Sequence, residues 1–394
     1  MNKRCLLFLL FLHPVFIISY AQDVQYIDTA FQSDNTTIES IIHYVIRNKD
    51  TIKDGPAVYY YSSGELWQTG YHTDGQNDSL WSVYYPDGHL SSRIMFRNGK
   101  RKGEFTYFFE SGGIKSKGFY DNDSLTGEVY LYFDGGQVNE IRQYKGNKLN
   151  GIMTGYYPDG NLNYRFEFAD SLKNGIFEMY YPSGKIKEKG LVRDNIFYDV
   201  YRTYYENGQL EKEILYKNSV IDGPYNVYWD NGNIQSSSTY VNGKVEGLVN
   251  LYYKDGSPFE TGEYKSGKRE GIWISYYPDS TVYMEGVYEQ GHPSGLWKVY
   301  YPNGQVKQSG VFKNGISEGP WQFFHDNGAV KMKGTYVNNK ENGNWVHYYN
   351  TGKIKLDLYY KDGKLEGTQS GFDPEGNLAE KAIYSEGLLI EKIK

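Results

Sequence analysis

Short runs of alternating hydrophobic and polar residues fill most of the chain, and turn residues interrupt these runs at regular intervals. Residues 271–277 are rich in β-forming side chains, with turn residues on both sides. Residues 301–304, Tyr-Pro-Asn-Gly, combine a Pro that fixes the first corner of a turn with an Asn that caps the backbone and a Gly that accepts a positive φ. Such signals recur too often for helices to form between them. The pattern therefore predicts β-hairpins.

The hairpin pattern returns every 24 residues from residue 55 onward, in fourteen units without a single insertion. Gly opens twelve of the units, whereas Ser79 and Asp199 open the other two. Counting the opening residue as place 1, place 6 is always Tyr or Phe, and place 7 is Tyr, Phe or Trp in all units except those with His325 and Asp373. Because a single hairpin is marginally stable in water, each unit needs its neighbours for stability.

These observations predict an all-β fold, an extended and twisted antiparallel β-meander built from about fourteen 24-residue hairpin repeats. Residues 22–54 fall outside the repeat register, and the apolar residues 41–46 predict a capping strand that protects the edge of the sheet. We therefore expect a leader at residues 1–21, an N-terminal segment with its capping strand at residues 22–54, and a repeat array at residues 55–394.

The first 21 residues have the pattern of a signal peptide. Lys3 and Arg4 precede an apolar run that ends at Ile18, and small residues follow at the positions that signal peptidase requires. We expect cleavage between Ala21 and Gln22 and export to the periplasm or the medium. No later apolar stretch is long enough to be a transmembrane segment.

Composition narrows the possible functions. Tyr occurs 42 times and aromatic residues make up 17% of the chain, which is too aromatic for a disordered protein. The 42 basic residues against 48 acidic ones give a net charge of −6, so there is no basic excess for binding nucleic acid. The single Cys lies in the predicted signal peptide, and the mature chain would fold without disulfides.

Adjacent aromatic residues at places 6 and 7 must point to opposite faces of a strand, so both faces of the sheet carry aromatic columns. We expect Trp273, Val282, Gly286 and Tyr288 to share the packed face. A Trp also recurs at place 3 of four successive units. These rings are either the densest part of the core or a platform that binds a protein or a sugar. The candidate binding surface consists of Trp273, Trp297, Trp321, Trp345, Tyr276, Tyr300, Phe324 and Tyr348.

Residues 262–277 read Gly-x-Tyr-x-x-Gly-Lys-x-x-Gly-x-Trp-x-x-Tyr-Tyr, and close variants of this motif recur in the units that follow. The motif resembles the MORN-repeat variant of bacterial proteins, and the resemblance covers about residues 55–394. Chains of this kind are often labelled as antitoxin components of toxin–antitoxin modules, and eukaryotic MORN repeats are linked to membrane and protein scaffolding. The resemblance therefore implies a binding or scaffolding role.

Motifs for catalysis and metal binding fail on inspection. Residues 315–319 match Gly-x-Ser-x-Gly, but Ser317 falls at an inter-repeat turn and no helix follows it. Residues 121–123 begin like a calcium loop, yet Leu125 occupies a ligand position, and the histidines lack metal-ligand spacing. We predict an exported, non-catalytic protein without a cofactor or metal. We expect its partner to be an unidentified protein, and an antitoxin-like role is one form of this prediction. The alternative is that the aromatic columns bind a glycan or a cell-wall polymer.

Overall fold

A computed structural model describes residues 23–394, so the predicted cleavage site at Ala21 and Gln22 lies outside the described residues. Strands joined by short turns account for this part of the chain, and helices are absent from it. The predicted all-β meander of hairpin repeats is confirmed. The described residues divide into two compact units between Lys148 and Leu149, and each unit is described separately below.

In the first unit, each strand pairs in antiparallel fashion with the strand before it. Its strands are β1 (Val24–Phe31), β2 (Ile38–Arg47), β3 (Asp50–Tyr60), β4 (Leu66–Thr73), β5 (Gln76–Tyr84), β6 (Leu90–Arg97), β7 (Lys100–Phe108), β8 (Ile114–Asp121), β9 (Ser124–Tyr132) and β10 (Val138–Lys145). The apolar residues 41–46 lie in β2, which pairs with β1 on one side and with β3 on the other. They are therefore not at the edge, because β1 covers them.

The second unit continues the same antiparallel order, and the two-residue strand β11 (Lys148–Leu149) falls at the division. Its strands are β12 (Gly151–Tyr156), β13 (Leu162–Ala169), β14 (Leu172–Tyr180), β15 (Ile186–Arg193), β16 (Ile196–Tyr204), β17 (Leu210–Lys217), β18 (Val220–Tyr228), β19 (Ile234–Val241), β20 (Lys244–Tyr252), β21 (Pro258–Lys265), β22 (Lys268–Tyr276), β23 (Val282–Glu289), β24 (His292–Tyr300), β25 (Val306–Lys313), β26 (Ile316–Phe324), β27 (Val330–Val337), β28 (Lys340–Tyr348), β29 (Ile354–Lys361), β30 (Lys364–Leu365), β31 (Gly367–Phe372), β32 (Leu378–Ser385) and β33 (Leu388–Lys392).

Two kinds of turn join the strands. Between β22 and β23, the backbone N–H of Tyr277 donates to the carbonyl of Thr281 at 2.8 Å, and Ser280 donates back to Tyr277 at 2.9 Å. The turn after β25 places Asn314 and Gly315 at φ values of 52° and 80°. Two successive residues with positive φ define the turn type whose twist matches that of a hairpin, which explains the recurring Asn-Gly and Asp-Gly pairs.

In twelve of the fourteen units the opening residue lies inside a strand, whereas Gly151 and Gly367 each begin one. Gly271 belongs to β22, which begins at Lys268, so the predicted strand bounds at residues 271–277 are corrected here. Place 1 has a positive φ in all fourteen units, including 57° at Ser79 and 66° at Asp199. At this place the pairing of β21 with β22 skips residues between Thr261 and Glu263. Place 1 is therefore a β-bulge, and Gly is favoured there because it adopts a positive φ without strain.

The pairing sorts the repeat places onto two faces of the sheet. One face, which we call the core face, carries the side chains of places 3, 5, 14, 16, 18 and 23. The opposite face, which we call the open face, carries those of places 2, 4, 6, 12, 15 and 17. A second bulge, between Ser275 and Tyr276, brings Val282 opposite Tyr276. Val282 therefore lies on the open face, and its expected grouping with Trp273 is wrong. An extra residue in a bulge moves the side chains that follow it to the other face of the sheet. The 24-residue period of the sequence does not reveal such a bulge.

Large rings on the core face lie directly over glycines of the preceding repeat. A Cβ atom added to Gly262 would be 2.2 Å from the indole of Trp273, and one added to Gly286 would be 2.1 Å from Trp297. These distances are shorter than any allowed contact between carbon atoms, so no larger residue fits beneath the rings in this arrangement. The contact buries the ring in a sheet that has no second layer on top of it.

In most repeats, the side chain at place 7 forms a hydrogen bond to the next repeat; Phe109 and Phe133 have no donor for it. Each hydroxyl in this series donates to the place 6 carbonyl of the following repeat, at 2.7–2.9 Å, and the donors are Tyr61, Tyr85, Tyr157, Tyr181, Tyr205, Tyr253, Tyr277, Tyr301 and Tyr349. Trp229 makes the same bond with its indole N–H at 3.3 Å, and His325 Nε2 lies 3.4 Å from the equivalent carbonyl. Place 7 is thus a structural strap.

Replacing Gly286 by Ala is expected to destabilise the second unit by about 1–3 kcal/mol, because the new methyl group would overlap the Trp297 indole. The measurement is the midpoint of urea-induced unfolding, monitored by circular dichroism. Gly371→Ala is the matched control, since its new Cβ would meet only ordinary contacts at 3.6 Å and beyond. Adding Trp297→Val should recover part of the loss, so a double variant whose loss equals the sum of the single losses would contradict the proposed contact.

His72 gives the first unit a pH-dependent stability. The side chain is buried at 5% exposure, 5.1 Å from the Trp81 ring, and its Nε2 lies 3.3 Å from the Tyr59 hydroxyl. Burial, with a smaller contribution from Lys53, holds the pKa of His72 below the ordinary 6.5. The unfolded chain therefore takes up a proton first as the pH falls, and stability decreases from about pH 6.5 down to the folded-state pKa.

The expected result is a lower urea midpoint at pH 5.5 than at pH 7.5, with part of the difference lost in His72→Tyr. Tyr120 occupies the same place two repeats later, so the substitution suits the fold. An equal pH dependence in the wild-type chain and the variant would show that other groups cause it.

Candidate functional site

The four tryptophans of the predicted binding surface lie in the core. Trp273, Trp297, Trp321 and Trp345 are only 2–8% exposed. The indole N–H of Trp273 donates to the Glu263 carbonyl at 3.2 Å, and its ring meets the rings of Tyr264 and Tyr288 edge to face. The column is therefore part of the core, although a small cavity of about 190 Å³ lies beside Trp297 and Trp321.

The remaining four members of that predicted surface, at place 6, lie half-buried on the open face: Tyr276, Tyr300, Phe324 and Tyr348. The Tyr300 hydroxyl donates to Glu285 at 2.6 Å. Burial, followed by this hydrogen bond and the charge of Glu285, raises the pKa of Tyr300 to about 12. Lys333 lies over the Tyr348 ring at 5.6 Å. Neighbours thus cover this column in part, and the structure does not bring it together with the Trp column.

Three strongly exposed aliphatic side chains of the repeats lie at place 2, which the sequence analysis did not single out. Leu248, Ile272 and Leu296 stand at this place in three successive repeats and are 56%, 65% and 53% exposed. Place 2 varies among the units and includes Glu104 and Thr368, so it is absent from the repeat motif. The sequence signal that could have revealed this surface is an apolar residue at place 2 in three successive repeats, because that place varies elsewhere in the chain.

A shallow groove runs between these side chains on the open face. Its volume is about 240 Å³, and its walls are Ile272, Val287 and Leu296, with Gly286 at the floor. Glu285 and Lys298 complete the lining, and their charged atoms are 3.4 Å apart. We call this the open-face groove. An exposed pair in this geometry is weakly stabilising, so the apolar walls are the main feature of the groove.

The same places of the repeat form a second groove four repeats earlier in the chain. It has a volume of about 320 Å³ and apolar walls from Ile176, Leu191 and Val200, with Gly190 at the floor. Glu178, Lys189, Asp199 and Arg202 supply the charged part of its lining. The grooves are thus a product of the repeat geometry wherever places 2 and 17 carry aliphatic residues.

Residues from the rejected chemical motifs have structural partners. Ser317 lies in β26 rather than in the inter-repeat turn, and its backbone N–H donates to Asn339 at 2.6 Å. The backbone N–H of Arg101 and its guanidinium both donate to Asp123 at 3.0 Å, and these bonds, the backbone one foremost, hold the pKa of Asp123 below its usual range. Within residues 23–394, no three His, Cys, Asp or Glu side chains are grouped so that they could hold a metal ion.

The hairpins, straps and grooves define the class of protein, a tandem β-hairpin repeat protein with an apolar surface at variable places. The MORN repeat variant model matches more than half of the chain, and the chain belongs to this family. The matches cover residues 101–122, 149–170, 173–194, 200–218, 221–242, 269–290, 293–314, 317–338, 341–362 and 365–386. No curated protein matches the sequence.

Among solved structures, the chain is similar to one of TcdB2-TccC3, with 11% identity and a TM-score of 0.16, over 93% of this chain and 26% of that chain. A structure of TcdB2-TccC3-Cdc42 matches with 10% identity and a TM-score of 0.16, over 91% of this chain and 24% of the other. The chain therefore spans about a quarter of the length of these proteins. In the part of the chain that the structure describes, no helix has the length and hydrophobicity to cross a membrane.

Proposed function

We propose that this chain is an exported, non-catalytic repeat protein that binds a protein partner through its open face. The observation that carries the proposal is the run of Leu248, Ile272 and Leu296, each more than half exposed at the same place of successive repeats. Exposed aliphatic side chains that adjoin one another mark interaction surfaces in soluble proteins. Isolated exposed side chains would need no such explanation.

The lining of the open-face groove favours a protein over a sugar. Ile272, Val287 and Leu296 offer methyl groups, which suit the apolar side chains of a protein partner. Sugar faces stack on aromatic rings, but the indoles of the tryptophan column are buried. Glu285 and Lys298 at the groove can pair with polar groups at the rim of an interface. An antitoxin-like role, with a toxic protein as the partner, is one form of this proposal.

The test compares the wild-type chain with the triple variant Leu248→Thr, Ile272→Thr and Leu296→Thr, which we call the open-face variant. Thr already occupies place 2 in the last repeat, as Thr368, so the substitutions suit the strand. Immobilised residues 22–394 are incubated with envelope extract of the source organism, with and without protease treatment of the extract. We expect one or more proteins to be retained by the wild-type chain and retained about tenfold less by the open-face variant.

The matched control is Val220→Thr with Val241→Thr, two similarly exposed aliphatic residues outside the open-face groove. This control variant should retain the partner as well as the wild-type chain does. In a direct binding measurement, the purified partner should bind the wild-type chain and the control variant with equal affinity and the open-face variant more weakly. Equal retention by all three proteins would contradict the proposed surface. Retention of carbohydrate that survives the protease treatment would favour the glycan alternative.

Export is tested separately by expressing the entire sequence in a bacterial host and sequencing the N-terminus of the recovered protein. Cleavage at the predicted site would give a chain that begins at Gln22, because small residues precede it at the positions that signal peptidase requires. An intact N-terminus on protein recovered from the cytoplasm would contradict export. The change Ala21→Arg is expected to block cleavage and serves as the control.

A further inference from the structure

A further cavity lies on the core face, away from the open-face groove. Its volume is about 640 Å³, which falls in the usual range for small-molecule sites. Val227 and Leu251 contribute aliphatic walls, and Trp229, Tyr253 and Phe259 contribute aromatic ones. The Tyr253 and Phe259 rings pack edge to face with centroids 5.1 Å apart, so this wall is held by its own contact.

The cavity exists because two repeat places depart from their neighbours. Ser236 stands at place 14, where the repeats that follow have longer side chains such as Met284 and Met332. Its small side chain leaves space beside Val227 and Leu251. Trp229 is the only Trp at place 7, where Tyr is usual, so a wider ring forms one side of that space. A shortened side chain and an enlarged ring together produce a site that the consensus repeat lacks.

The polar groups of the cavity are few and mostly engaged. The Trp229 indole N–H donates to the Tyr252 carbonyl at 3.3 Å. Lys254, the charged residue of the lining, forms an ion pair with Asp230 at 2.5 Å. The charges at the rim are therefore balanced, and an ionised ligand would have to displace one partner of the pair. Ser236 and Gln235 remain as uncharged hydrogen-bonding side chains.

We propose that this cavity binds a neutral aromatic small molecule, held against Trp229, Tyr253 and Phe259. Aromatic rings gain from offset and edge-to-face contact with other rings, beyond the area that they bury. Apart from Lys254 the lining is uncharged, so it favours a neutral ligand, since a charged one would lose hydration against the apolar walls. The site is independent of the proposed protein-binding surface, which lies on the other face of the sheet.

The experiment uses residues 22–394 and the neutral fluorescent probe N-phenyl-1-naphthylamine. Saturable binding of one probe per chain is expected, detected as an increase in probe fluorescence. Ser236→Met should weaken this binding by about tenfold or more, because the longer side chain would occupy the cavity, and Met284 shows that the repeat accepts Met at this place. Ser116→Met is the matched control at the same place of another repeat and should leave the affinity unchanged.

The open-face variant separates this site from the proposed protein surface. It should bind the probe with wild-type affinity, whereas a loss of binding would place the probe on the open face and overturn the proposal. Absence of saturable binding, or equal affinity in Ser236→Met with an unchanged circular dichroism spectrum, would also overturn it. Loss of partner capture with normal probe binding would leave this inference intact, so failure of the two proposals can be told apart.

Discussion

Much of the packing depends on a contact between successive repeats, in which the side chain at place 3, a ring in nine of the fourteen units, lies on the residue at place 16 of the repeat before it. A hairpin alone cannot bury enough apolar surface to be stable, and this sheet has no second layer to cover its core face. Each of the five Trp residues at place 3 therefore lies over a Gly, as Trp273 lies over Gly262. Where place 16 carries a ring instead, the place 3 ring stacks beside it, as Phe177 does against Phe166 at 5.0 Å.

The bulges make this packing possible, because they decide which side chains share a face. The positive φ at place 1 interrupts the pairing with the preceding strand, and the bulge before place 6 moves Val282 away from the Trp column. Ser79 and Asp199 adopt the same backbone conformation as the glycines, which costs about 1 kcal/mol or more for a residue with a side chain. The surrounding ladder of hydrogen bonds imposes the conformation, so the motif tolerates the exceptions.

Much of the fold could be predicted from the sequence, because period, turn residues and strand propensity all agree in every repeat. Asn314 and Gly315 marked a turn correctly, and the Gly-Trp spacing of eleven residues was present in the sequence to be found. The face of Val282 could not be predicted, because a single bulged residue reverses it. The exposure of Ile272 was equally hidden, because the strand register decides what covers an apolar residue at a variable place.

The two faces of the sheet have different roles in the repeat, and this difference explains where binding specificity can arise. Core-face places are constrained by ring contacts, so a departure such as Ser236 opens a cavity rather than changing the hairpin. Open-face place 2 varies among the repeats and carries Leu, Glu or Thr, while the strands pair in the same antiparallel order. Under the proposed function, neighbouring repeats would present several modest contacts side by side, and their combined effect would determine the affinity for the partner. The aliphatic run at Leu248, Ile272 and Leu296 thus acts as one surface, to which each repeat contributes a single side chain.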